Sequence, residues 1–134
     1  MINPSRLYDS NSKRMLYPQD MVKMGIFVSP DGRPVQIKGG MMVRLNEVHL
    51  MHATGWLDIT SRPIWEGDII FGDVPHSFDG AISFTQEKGV ILYDNSVGRF
   101  FVKIEEAALT QGDVTVTNMR VVGDIYQNKD LLTV

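Results

Sequence analysis

Cysteine is absent from this 134-residue chain. That excludes a disulfide framework and a thiolate metal site, and it fits a reducing compartment. No apolar run approaches the ~18 residues of a membrane-spanning helix. The opening MINPSRLYDS lacks the charged-then-apolar build of a secretory signal. These absences lead to the expectation of a soluble protein in the cytoplasm of its cell. Long amphipathic helical patterns are missing as well. So are the GxSxG elbow, the phosphate-binding loop and the glycine-rich dinucleotide turn. With no thiol nucleophile either, no catalytic motif is assembled, and the expectation is a non-enzyme with no cofactor and no catalytic or metal-ligating residue.

What is present suits a compact β protein. At 43% hydrophobic and 22% charged residues, a chain of this length folds as one unit and buries roughly two-thirds of its unfolded surface. The net charge of −3 disfavours a nucleic-acid partner, which rewards a dense basic surface. The charge is also uneven. Residues 1–44 carry seven Lys/Arg and three Asp, a balance of +4, whereas residues 45–134 carry six Lys/Arg and thirteen Asp/Glu, a balance of −7. Chance scatter over a solvated surface produces such a split; so does a basic part of one chain meeting an acidic part of another.

Short apolar runs between turn formers dominate the chain, which is the signature of strands. RLYD-SNSK-RMLY reads as a hairpin. GIFVS-PDGR-PVQIK reads as another, with Pro30 at the first corner and Asp31-Gly32 tolerating positive φ. Gly39-Gly40 marks a break. Val48–Ala53 alternates as a strand, followed after Gly55 by a loop, WLDITSRP, and then by IWEGDIIFGDV. VPHSFDGA reads as a loop and AISF as a short strand at most. Gly89–Tyr93 and Arg99–Ile104 form a second strong hairpin across the polar tip Asp94–Gly98. Near the end, Val114, Val116 and Asn118 alternate against Thr115, Thr117 and Met119, and Asn128 caps a single helical turn. The architecture expected is mainly β with little helix: an N-terminal β-hairpin region, residues 1–45, packed on a small SH3-like barrel, residues 46–134, as one compact unit. Closing a small barrel removes exposed strand edges.

The segment HATGWLDITSRPIWEGDII concentrates two tryptophans and several carboxylates. A glycine followed by aspartate just before a β-branched run fits a tight turn or bulge that launches a strand. In that reading Gly67 bends the backbone, Asp68 accepts hydrogen bonds in the turn, and Trp65 anchors to the core. The chemical reading pairs Glu66 with Asp68, joined by Asp58, as general acid and base, but two acids beside a glycine turn are commonplace. His49 and His52 diverge on a strand, and no third ligand stands near to complete a zinc site. Asp73, His76 and Asp79 lack the dense alternate acids of a calcium loop. Tyr8, Lys13, Arg14 and Tyr17, or Arg99 with Phe100 and Phe101, are the sets a nucleic-acid stacking platform would use; the alternative puts one of the two phenylalanines in the core.

LMHATGWLDITSRPIWEGDII resembles the YopX family of phage and prophage proteins. Met51, Thr54, Gly55, Ile64, Glu66, Gly67, Asp68 and Ile69 occupy that family's Met-x-x-Thr-Gly-Leu and Ile-Tyr-Glu-Gly-Asp-Ile places. Trp56 stands for the usual Leu, Trp65 for the usual Tyr, and ITSRP replaces a glycine-containing loop. RLYDSNSKRM is similar to the family's opening hairpin. VVGDIYQNKDLL, with Gly123, Ile125 and Tyr126, is similar to its closing motif. The resemblance implies a mostly β fold with an SH3-like barrel in the C-terminal part, a phage or integrated-element origin, and self-association as a homo-oligomer. It carries no established activity, so the matched residues carry structural roles. The function expected is that of a phage accessory protein in the bacterial host, binding itself or a phage or host protein. The alternative is a nucleic-acid-binding small barrel. No membrane role is expected.

Overall fold

The computed structural model describes residues 4–104 and 116–131. The chain divides into two compact units, Met1–Ala53 and Thr54–Val134, and strands account for most of the described residues. The division falls between Ala53 and Thr54, later than the boundary at residue 45 read from the sequence, because residues 48–52 pair with the first strand.

The N-terminal unit begins with an antiparallel hairpin, β1 (Ser5–Asp9) and β2 (Arg14–Leu16). Asp9 shapes its turn by accepting the Asn11 amide and the Ser12 hydroxyl. A helix follows, α1 (Pro18–Met24), which the sequence reading missed. Its signals are local: Pro18 suits the first helical position, Asp20 accepts the Tyr17 N–H at 3.0 Å, and Gly25 ends the helix at φ 69°. Next come β3 (Ile26–Val28), β4 (Pro34–Lys38) and β5 (Met41–Arg44), a three-stranded antiparallel sheet. Gly39-Gly40 is thus the tight turn of a hairpin, with both residues at positive φ. The first half of β6 (Val48–Leu57) returns alongside β1. Leu7, Leu16, Met21 and Ile26 form the core of this unit, with Leu45, Val48 and Leu50 packed against it.

The second unit takes up β6 at Thr54. Trp56 and Leu57 continue the strand past Gly55, whose φ of 85° lets the chain bend without ending, so the loop is shorter than expected and covers only residues 58–62. Then come β7 (Pro63–Trp65), β8 (Asp68–Phe78), β9 (Ala81–Asp94), β10 (Arg99–Ile104) and β11 (Thr117–Asp124). The last four make a sheet of order β10-β9-β8-β11. Curled into a half-barrel, the sheet keeps β10 and β11 as its edges among the described residues. Ile64, Ile70, Ile91 and Val121 form its core, backed by Phe100, Val102, Val116 and Met119. Full burial of each isoleucine contributes about 1.5–3 kcal/mol.

The largest departure from the sequence reading is at VPHSFDGAISF. It is one long hairpin, in register from Ile69↔Val90 to Phe78↔Ala81. Asp79 and Gly80, at φ 52° and 77°, supply the paired left-handed residues of a two-residue turn whose twist matches the strands. Pro75 and the polar His76 and Ser77 masked this continuity. The hairpin at Asp94–Gly98 is present as expected, and the closing turn is the 3-10 segment Lys129–Leu131. Val114 and Thr115 lie outside the described residues. No described helix is long and apolar enough to cross a membrane.

Candidate functional site: a pinned turn and a projecting arm

The Trp-Glu-Gly-Asp segment folds as a turn between β7 and β8. Asp68, only 1% exposed, accepts the Trp65 N–H through Oδ2 at 2.8 Å. Gly67 takes φ 88°. Its N–H donates to Ile91 O at 2.8 Å, and its carbonyl accepts the Ile125 N–H at 2.9 Å. One glycine thereby fastens the turn to β9 and to the segment that follows β11. That closing segment is equally constrained. Asp124 lies opposite Asp68 in the register and accepts the Tyr126 and Gln127 amides. Gly123 lies opposite Ile69, and a Cβ there would stand 2.6 Å from Asn128 Oδ1, so only glycine lets Asn128 close over the strand.

Thr54 and Asp58 fasten the preceding loop. Thr54 Oγ1 donates to Ile64 O at 2.7 Å and accepts the Trp56 amide at 3.0 Å. Asp58, 7% exposed, accepts the Thr60 amide and hydroxyl and the Arg62 amide through Oδ1, and the Val121 amide through Oδ2. Burial opposes its ionisation, but the Thr60 hydroxyl and the backbone donors outweigh it and hold the carboxyl well below the usual carboxylate range. The oxygens that a general acid–base pair would use are occupied by amides at Asp58 and Asp68. Sequence reasoning grouped Asp58 with the acids; its bond to Val121, sixty-three positions on, has no local signal.

Among the described residues no group of three His, Cys, Asp or Glu is placed to hold a metal. His52 Nδ1 meets Ser5 Oγ, and His49 stacks on Tyr8. Tyr8 is buried, and Tyr17 lies under the Arg6 guanidinium, so this set is not an open stacking platform. Phe100 packs edge-on against Tyr93 and Trp56 and against the core.

Two features were not foreseen. The first is a triangle on β8 and β9. His76 Nε2 lies 2.7 Å from Thr85 Oγ1 and 3.0 Å from Glu87 Oε2, and the Thr85 hydroxyl donates to the same Glu87 oxygen at 2.6 Å. That hydroxyl, acting against partial burial, and the histidine lower the Glu87 pKa. A nucleophile relay needs hydroxyl and carboxylate on opposite ring nitrogens; here both meet Nε2, so the triangle clasps the two strands together.

The second is the arm that this clasp reinforces. β11 pairs with β8 no further than Asp73, and β10 pairs with β9 only from Gly89. Beyond those points β8 and β9 have no flanking strand among the described residues. Phe78, Ile82 and Phe84 are 79%, 68% and 61% exposed there. Directly paired residues share a face, so Phe71, Asp73/Gln86, Pro75/Phe84 and Ser77/Ile82 line one side of the hairpin. At its base that side forms an open depression of about 330 Å³, lined by Ile59, Phe71, Asp73, Gln86, Asn118, Arg120 and Val122. Asn118, at φ 53° in a bulge of β11, donates to Asp73.

Comparison with curated proteins gave no match. Among solved structures, the chain is similar to the crystal structure of protein EF1440 from Enterococcus faecalis. Identity is 22%, coverage is 98% of this chain and 99% of that one, and the TM-score is 0.56, a likeness of fold. The family described as YopX protein matches residues 6–133, nearly the whole chain, and this protein belongs to the YopX family.

Proposed function

We propose that the chain is a phage- or prophage-encoded accessory protein of the bacterial host cytoplasm that works without catalysis, by holding another protein through the β8–β9 arm. The observation that carries this reading is the arm itself, a hairpin that reaches beyond its flanking strands among the described residues and whose outer part displays aromatic and β-branched side chains to solvent. Apolar groups exposed together mark interaction sites. Phage origin is supported by the family resemblance. Capture from extracts of induced lysogens tests the contact role, using the wild type beside Ile82→Lys and Phe84→Lys. Co-purifying proteins lost with both variants support it; equal recovery with wild type and variants overturns it.

A second reading, a nucleic-acid-binding surface, is favoured by one rung of the sheet. Phe71 has Lys88 and Arg120 as its register partners on either side, and Lys88 Nζ lies 5.9 Å from the ring centroid. Cations flanking an exposed ring are the elements of a base-stacking platform. Against it stand Asp73 on the next rung and the −7 balance of residues 45–134. A low-salt mobility shift with single-stranded DNA and RNA decides: retardation lost in Phe71→Ala supports this reading, and no retardation ends it.

A further inference from the structure

We infer that Met41 and Met42 are a surface modification site, where a hydroperoxide oxidises the two thioethers to sulfoxides and leaves the fold intact. The site lies in the N-terminal unit and goes beyond the contact role of the arm. Cysteine is absent, so methionine carries all the sulfur of this chain. Oxidation of a thioether follows access to its sulfur atom, and access divides the methionines sharply. Met41 and Met42 are 70% and 69% exposed, whereas Met21 and Met51 are core residues, 6% and 2% exposed. The exposed two are consecutive in β5, directly after the Gly39-Gly40 turn.

In the reaction the thioether sulfur attacks the terminal oxygen of the hydroperoxide. The S–O bond forms as the O–O bond breaks, and sulfur gives up two electrons. The proton on the transferred oxygen passes to the departing alkoxide or hydroxide, which leaves as alcohol or water. The local structure accommodates the product. Residues paired across strands share a face, so Met41 stands on the side of Lys38 and Met42 on the side of Ile37. Lys38 is exposed, and its ammonium offers donors to the new oxygen on Met41. Ile37 is half exposed, so the Met42 sulfoxide keeps contact with water. Two apolar surface groups thus become polar at little cost to folding, while the same step at Met51 would bury an oxygen in the core. The chain has no thiol to reduce a sulfoxide, so the change lasts until an external thiol-dependent reductase reverses it.

Trypsin cuts after Lys38 and Arg44, so Met41 and Met42 leave together in peptide 39–44, and the next peptide carries Met51 alone. With the full chain in millimolar hydrogen peroxide, mass spectrometry should show peptide 39–44 gaining oxygen at least about tenfold faster than the Met51 peptide. In guanidinium chloride the two rates should converge. The melting temperature of the chain oxidised at both positions should stay within about 2 °C of the untreated value. Methionine sulfoxide reductase with dithiothreitol should restore the original mass. Met41→Leu combined with Met42→Leu should abolish the fast uptake. Oxidation of Met51 as fast as the pair overturns the inference, as does a rate difference that persists in denaturant or a fast uptake unchanged in the double variant. A larger fall in melting temperature would overturn the separation of this site from the fold.

Discussion

The base and the arm of the β8–β9 hairpin are built from the same two strands and meet opposite fates. At the base, Ile69, Ile70 and Ile91 are buried, with β11 on one flank and β10 on the other. In the arm, Phe78, Ile82 and Phe84 have comparable hydrophobicity and stay in water. Residue type does not separate the two. Neighbours do: a strand residue is buried when flanking strands and a covering layer reach it, and among the described residues both flanks stop short of the arm. Substitution should therefore divide along this line, with folding lost at the base and association lost in the arm.

The largest effect is expected at the base. Ile91→Ala removes a side chain packed among Ile64, Ile70 and Val121, and should cost about 3–4 kcal/mol in denaturant melts by opening a cavity. Gly67→Val comes next. It forces a β-branched residue to φ 88° at a point where both backbone groups are bonded, and about 2–3 kcal/mol is expected from strain alone. Glu66→Gln beside it should cost under about 1 kcal/mol. Thermal melts that ranked Glu66→Gln as the worse of the two would show that the carboxylate, and not the bend, is what the turn exists to provide.

Asp58 gives the comparison a pH axis. Its carboxyl is held below its ordinary value when folded, so between that value and the unfolded pKa of about 3.9 the unfolded chain binds the proton more readily. Stability from this group is fully present above about pH 4 and declines as pH falls toward the folded value. Asp58→Asn should lower stability by about 2 kcal/mol at pH 7, because an amide presents N–H to one of the donors now bound. The variant should also lose less on acidification than the wild type. Parallel pH profiles for the two proteins would assign acid sensitivity to other carboxylates.

Legibility followed the range of the forces. Both short hairpins, the tip at Asp94–Gly98 and the Asp68 turn were readable because Ser-Asn-Ser, Pro-Asp-Gly, Asp-Asn-Ser and Glu-Gly-Asp encode their turns within a few residues. The long arm was not, since Pro75 and the polar pair His76-Ser77 imitate a loop within the strand. The helix Pro18–Met24 carried its own caps but is too short for a periodic pattern. Asp58, and Gly123 under Asn128, depend on contacts that no local window contains.

The smallest effect on folding is expected where the apolar surface is most visible. Phe84→Ser removes a large ring, a change that in a core costs about 3–5 kcal/mol. At this position the ring has water on its outer side, and its cross-strand partner is Pro75. The melting temperature of dilute Phe84→Ser should stay within the shift produced by about 0.5 kcal/mol, while capture of partner proteins through the arm should fall. A loss of several kcal/mol in the dilute monomer would mean that Phe84 is covered within its own chain. The arm would then be an extension of the core, and the division between a folding base and a binding arm would collapse.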